Sequence, residues 1–261
     1  MHRLTYLQDH LKDGKLIRWP DQVFPLPVFI SPCSFYSMSD VDRYNYKKMV
    51  IQALQEWERV GEGRYSFKLV ENLHESQMNV DWRRVDRKSL GNCTFNYDKQ
   101  SRLYSAEVSI GISDGLLHRK YMDDNEVYHT ILHEIGHALG LGHSTNDNDI
   151  MYTPHKYGVT NLSERDICSV RWLYTLPYGA SVKSLNQEYM LSCTNIDDII
   201  MEIVAGMAES EFKRTLKATP APNLRNLEEE QDKLAEIRKF QMSIQNVRLP
   251  KEIADKFKEK R

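Results

Sequence analysis

His133, Glu134, His137 and His143 are the residues whose types and spacing could do chemistry; they lie in YHTILHEIGHALGLGHSTNDNDIMY, between Tyr128 and Tyr152. His133 and His137 stand four apart in a stretch of helical character. Four residues make about 400° of turn and roughly 6 Å of rise, so both imidazoles leave one face of a helix, one turn apart. Such a pair is a clamp for a metal ion. Imidazole nitrogen suits Zn²⁺ at about 2.0–2.1 Å, and a catalytic zinc takes three protein ligands and leaves its fourth position to water. His143 can be the third, because Gly140, without a Cβ, can take the positive φ that ends a helix and turns the chain back beneath the ion. Glu134, rotated about 100° from His133, can reach a metal-bound water without ligating, the place of the general base in H-E-x-x-H. Zinc lowers the pKa of its water toward about 7, so a carboxylate there can take the proton as the water attacks a polarised carbonyl.

H-E-x-x-H alone arises by chance in about one chain in a hundred of this length, and adding Gly140 and His143 cuts that to the order of one in a hundred thousand. The extended pattern followed by a methionine, here Met151, is the metzincin signature. Ser144, Thr145, Asp147, Ile150, Met151 and Tyr152 follow the last histidine in an order that resembles the matrixin branch, and similarity extends from about Trp19 to Tyr178. The resemblance implies a zinc endopeptidase with an extended substrate across its cleft, Met151 as a floor under the metal, and Asp166 as a buttress of the Met-turn. It also implies that Tyr152–Tyr157, with Pro154 and Tyr157, walls the pocket for the side chain just after the cut bond.

The sequence departs from the family in three places. Cys93, Val108 and Ile110 stand where related chains carry histidines and aspartates for a structural zinc and calcium, so one catalytic Zn²⁺ and no second zinc is expected. Arg165 replaces an aspartate that can bind a freed N-terminal ammonium, so that bridge should be missing. No propeptide cysteine motif precedes the domain.

The elements that must position these groups follow from periodicity. Leu26–Ile30 reads as a strand, and Tyr46, Met49, Val50, Ala53, Leu54 and Trp57 recur at three and four, giving a helix capped by Ser39 or Asp40 and ending near Gly61. Ser66–Val70, Met78–Trp82, Gly91–Tyr97 and Ala106–Ile112 read as strands, Phe67 and Leu69 setting the alternation of the first, and Val108, Ile110 and Ile112 facing inward in the last. Gly91–Tyr97 holds the place of the matrixin edge strand, whose free N–H and C=O groups could pair with substrate around Asn92, Thr94 and Asn96. DDNE at 123–126 suits a capping box that starts the metal-binding helix. His129 shares its face with His133 but reads as a packed neighbour, since a fourth protein ligand would close the open position; His155 reads as a wall residue. Asn161–Tyr174 reads as a helix capped by Ser163.

With 261 residues, 41% hydrophobic residues and a net charge of −2, the chain suits one globular domain and an appendage, and nothing in that balance points to nucleic acid. The N-terminus has no apolar core of a signal peptide and no run suits a membrane span, so a cytoplasmic protein is expected. Cys33, Cys93, Cys168 and Cys193 are widely spaced and read as small buried thiols, not staples. Pro177 and Gly179 mark a boundary. Ile196–Leu216 has a helical apolar pattern in Ile199, Ile200, Ile203, Val204, Met207 and Phe212. An extended linker follows at Thr219–Pro222, then a charged segment with Leu227, Leu234, Ile237 and Ile244 near heptad spacing.

The fold expected is α+β: a zincin-like domain over residues 1–178, with a twisted mixed sheet, an edge strand over the cleft, a long helix and a zinc helix. An all-α extension covers 179–219, and a linker with a last helix covers 220–261. The function expected is peptide-bond hydrolysis with Glu134 as base. The alternative is a weakly active or inactive peptide-binding or scaffold protein, working through its C-terminal helices as an oligomer or with a protein partner.

Overall fold

A computed structural model describes residues 4–33, 40–84, 90–112 and 123–218. A mixed five-stranded sheet carries the molecule: β1 (Leu26–Ile30), β2 (Phe67–Leu69), β3 (Met78–Arg84), β4 (Gly91–Tyr97) and β5 (Leu103–Ile112). Their order across the sheet is β2-β1-β3-β5-β4. The pairs β1/β2, β1/β3 and β3/β5 are parallel, and only β4 runs antiparallel, against β5, with Cys93 opposite Val108. The strands lie where their alternation puts them, although β3 and β5 are longer than periodicity suggested. In β2 the alternation misleads: Phe67 is half-buried and Leu69 is 50% exposed, because this short strand is itself an edge.

Helix α1 (Asp40–Gly61) runs across the sheet and buries Val50, Ala53, Leu54, Trp57 and Val60. Of the two expected caps, Ser39 lies outside the described residues and Asp40 is the first residue of the helix. Helix α2 (Asp124–Ala138) packs between α1 and the β4/β5 edge. Two indoles tie it down: Trp57 Nε1 donates to the Leu132 carbonyl at 3.0 Å and Trp19 Nε1 to the Ala138 carbonyl at 2.8 Å. The capping box expected at its start is half formed. Asp123 accepts from the Glu126 N–H at 3.0 Å, but the Glu126 carboxylate turns to His155, 3.2 Å away. Helix α3 (Glu164–Thr175) has the complete reciprocal cap, Ser163 with Asp166.

Helix α4 (Val182–Tyr189), unmarked in the sequence reading, and α5 (Ile196–Ala218) follow. Leu185, Ile196, Ile199, Ile200 and Ile203 join the same core as the sheet, whereas Val204 is 40% exposed. Residues through Ala205 make one compact unit and those from Gly206 belong to a second. The linker at Thr219–Pro222 and the segment from Leu227 to Ile244 lie outside the described residues. None of the four cysteines is in a disulfide, and only Cys33 is buried. Among the described residues, no helix is long and apolar enough to cross a membrane.

The N-terminal segment is the feature that periodicity did not show. Tyr6, Leu7, Leu16, Ile17 and Trp19 are all buried, without helix or strand spacing. Lys12 and Lys15 exchange backbone hydrogen bonds of 3.0 and 2.9 Å around Asp13 and Gly14, both at positive φ, as a two-residue hairpin turn requires. The chain then runs back past Gly140, Gly179 and Ala180: Leu16 N–H donates to the Ala180 carbonyl at 2.8 Å, and Gly179 N–H to the Leu16 carbonyl at 2.8 Å.

Candidate active site

Helix α2 delivers His133 and His137 one turn apart, and its C-terminus shows why glycine stands at 140. Gly140 has φ of +100°, and a Cβ there would lie 2.5 Å from the Ile17 carbonyl oxygen. The turn brings His143 back, so that His137 Nε2 lies 3.1 Å from His133 Nε2 and 3.1 Å from His143 Nε2. Two nitrogens bound at about 2.0–2.1 Å on a tetrahedral centre stand roughly 3.3 Å apart, so this spacing is that of a shared ion.

The tautomers agree. His133 Nδ1 donates to the Ile150 carbonyl and His137 Nδ1 to the Leu141 carbonyl, both at 2.8 Å. Each ring spends its proton on a carbonyl, so the converging Nε2 atoms carry lone pairs, an arrangement that a cation resolves. Burial holds both rings neutral, lowering His133 to about 4 and His137 to about 3. The three histidines are the group able to hold a metal ion among the described residues. A divalent, nitrogen-preferring ion such as zinc fits them.

Glu134 projects from the same helix, 6% exposed, beneath β4. Burial pushes its carboxyl up to about 7, against the pull of the Arg83 guanidinium; a cation among the histidines would pull the same way as Arg83. Gly91 makes room for it, since a Cβ on Gly91 would lie 2.5 Å from Glu134 Oε1. Gly136 does the same for the floor. A Cβ there would stand 2.4 Å from Met151 Sδ, so Met151, fully buried, reaches under the helix only because residue 136 has no side chain. Sequence reading passed over both glycines, although a glycine inside a helical pattern is itself a signal of close approach.

The floor is fixed from α3. Fully buried Asp166 accepts from the Ile150 N–H at 2.7 Å, the Ser163 N–H at 2.9 Å and the Tyr6 hydroxyl at 2.9 Å. Ser144 N–H donates to the Met151 carbonyl at 2.7 Å, and Ser144 Oγ to Asp149. Arg165 pairs with Asp149 at 3.2 Å and lies over the Tyr6 ring at 5.6 Å.

These groups open into a cavity of about 620 Å³. Gly91, Cys93 and Phe95 line it from one face of β4 and Asn92 borders it; Thr94 and Asn96, exposed with Asn92 on the other face, do not, Asn96 Nδ2 donating to Ser105 Oγ at 3.0 Å. Pro154 and His155 line it; Tyr157 does not, being 67% exposed with its hydroxyl donating to Asp123 at 2.7 Å. His129 also lines it, outside the metal group: its Nδ1 donates to the Val159 carbonyl at 2.6 Å and its ring meets His155 edge-on at 4.0 Å. His10, from the N-terminal segment, was not foreseen at all. It borders the cavity beside His143, and only the Asp-Gly pair at 13–14 hinted that this stretch folds back.

Residues 33–175 match the Matrixin (Peptidase_M10) family over more than half of the chain. The chain belongs to the matrixin family. Among curated proteins it is 45% identical over 67 residues to a protein named as matrix metalloproteinase 095L in Invertebrate iridescent virus 3, covering 24% of this chain and 18% of that one. It is 31% identical over 136 residues to one named as a matrix metalloproteinase in Trichoplusia ni ascovirus 2c, covering 45% and 26%. It is 40% identical over 68 residues to the macrophage metalloelastase of Rattus norvegicus, covering 25% and 14%. The matches thus span about a quarter or less of those relatives' own lengths. This matrixin has the mixed sheet, edge strand and three-histidine group that the signature implied.

Proposed function

We propose that this matrixin is a zinc-dependent endopeptidase holding one catalytic ion on His133, His137 and His143. The observation that carries the reading is the convergence of three Nε2 atoms, two of them on rings whose Nδ1 donates to a carbonyl, beside a buried carboxylate. The ion would supply a Lewis acid and an acidified water. Glu134 takes the proton of the attacking water and returns it to the leaving nitrogen, and burial, which raises its carboxyl, favours its accepting that proton. β4 stands last in the sheet order, and its outer edge offers N–H and C=O groups to an extended polypeptide around Asn92–Asn96. Met151 and Asp166 hold the floor rigid, and Pro154 with His155 bounds one end of the cleft.

The absence of disulfides supports a reducing, cytoplasmic setting. Digestion of a proteome-derived peptide library by wild type and by Glu134→Gln, read by mass spectrometry, tests the reading. Cleavage by the wild type alone is expected, whereas no cleavage by zinc-loaded wild type leaves the peptide-binding or scaffold alternative.

A further inference from the structure

The three ligands are not equally supported. His133 and His137 ride on a buried helix with their Nδ1 atoms pinned to carbonyls; His143 comes after the turn, exposed, and no hydrogen bond holds its Nδ1 among the described residues. Its position therefore depends on its backbone. On one side the next residue, Ser144, is tied to the Met151 carbonyl. On the other side stands His10, 133 residues earlier in the chain.

We infer that His10 is a positioning residue for the metal centre, its imidazole N–H holding the His143 carbonyl and its ring packing where residue 142 would otherwise carry a side chain. His10 Nε2 donates to the His143 carbonyl oxygen. Independently, a Cβ on Gly142 would lie 1.8 Å from His10 Nδ1 and 2.0 Å from its Cγ, so the ring fills the space that glycine leaves open. His10 is itself held. Tyr6 meets its ring edge-on at 5.9 Å, and Tyr6 is bound through its hydroxyl to Asp166 and through its N–H to Ser169 Oγ at 3.2 Å. Thr5 Oγ1 donates to buried Asp197, and Gln8 Oε1 accepts from the Ile196 N–H at 2.8 Å, so the segment stands on α3 and α5. The same segment braces two ligands: through Tyr6, Asp166 and Ile150 it reaches His133, and through His10 it reaches His143. Residues 5–10 are thus part of the metal centre, and their loss weakens metal binding.

The inference rests on the zinc-site reading but is tested without peptide cleavage. Full-length His10→Ala, His10→Gln, Gly142→Ala and wild type are titrated with zinc against a chromophoric chelator, and Co²⁺-loaded spectra and metal-free melting temperatures are recorded. His10→Ala should bind zinc about ten- to a hundredfold more weakly, the range for losing a group that orients a ligand. Gly142→Ala, which drives the ring aside, should show a similar loss with His10 intact. His10→Gln, whose amide can still donate to the carbonyl, should bind close to wild type. A His10 that only packs would lower the metal-free melting temperature and leave zinc affinity alone, which overturns the inference, as does a loss that glutamine fails to restore. If His10→Ala does not fold, Gly142→Ala and His10→Gln still decide. A wild type that binds zinc but cuts no peptide sinks the peptidase reading and not this one.

Discussion

Two groups of histidines meet in this cleft, and they differ in where their nitrogen atoms are spent. In the first, His133 and His137 give their Nδ1 protons to backbone carbonyls and, with His143, turn three Nε2 atoms toward one point. In the second, His129 is committed to the Val159 carbonyl and His155 to the Glu126 carboxylate, and the two rings pack edge to face. Imidazoles crowd together in both; only the first group leaves Nε2 atoms that converge on one point. A metal site is defined by donors left over after the protein has satisfied itself, and the carbonyl that takes each Nδ1 proton matters as much as the ring.

That contrast can be broken, the largest effect first. His137→Ala removes the ligand nearest both others and should abolish stoichiometric zinc binding, read by metal analysis of purified protein, together with cleavage. Glu134→Gln should keep zinc and lose about 10²–10⁴ in kcat, the span of one general base; zinc loss would show instead that the carboxylate ligates. His129→Gln should change zinc affinity by less than about tenfold, below the usual loss for a ligand-orienting group. A larger fall would join the two groups into one.

The smallest effect concerns the metal-free protein and acid. Burial lowers His129 and His133 to about 4 and His137 to about 3, from an ordinary value near 6.5. The unfolded chain then binds more protons than the folded one, so this stability is present above about pH 6.5 and is lost as pH falls toward about 4. Glu134, raised to about 7, acts with the opposite sign: its contribution is present below its unfolded value near 4.5 and is lost as pH rises through about 7. Melting temperature between pH 7 and pH 4.5 should therefore fall less steeply in His129→Gln and more steeply in Glu134→Gln than in the wild type. Each kcal/mol is worth about 2–4 °C at this size. A His129→Gln profile parallel to that of the wild type would mean that His129 is not held neutral.

Legibility in the sequence followed the length of the contacts. The helix carrying His133 and His137, the turn at Gly140 and the alternation of β4 and β5 depend on neighbours within a few residues, and periodicity and glycine chemistry expressed them. Leu69, which with Phe67 set the alternation of this strand, is exposed because edge position is a property of the sheet order, not of β2. Glu126 left its capping role because His155, distant in sequence, brought a ring nitrogen within 3.2 Å of its carboxylate. Thr94 and Asn96, read as pairing with substrate through their backbone, expose their side chains on the same face as Asn92, and the Tyr157 hydroxyl reaches Asp123, 34 residues away.

The sequence by itself determined the donor set, the base beside it and the family, since those rest on residue types at fixed local spacing. Only the tertiary structure decided which carbonyls take the Nδ1 protons, why Gly91, Gly136 and Gly142 must lack side chains, and that a segment at residue 10 reaches the third ligand. Apart from the His137–Leu141 bond, which spans four residues, these are close approaches between parts of the chain that no helix or strand repeat connects, and such a contact leaves no periodicity in the sequence to read.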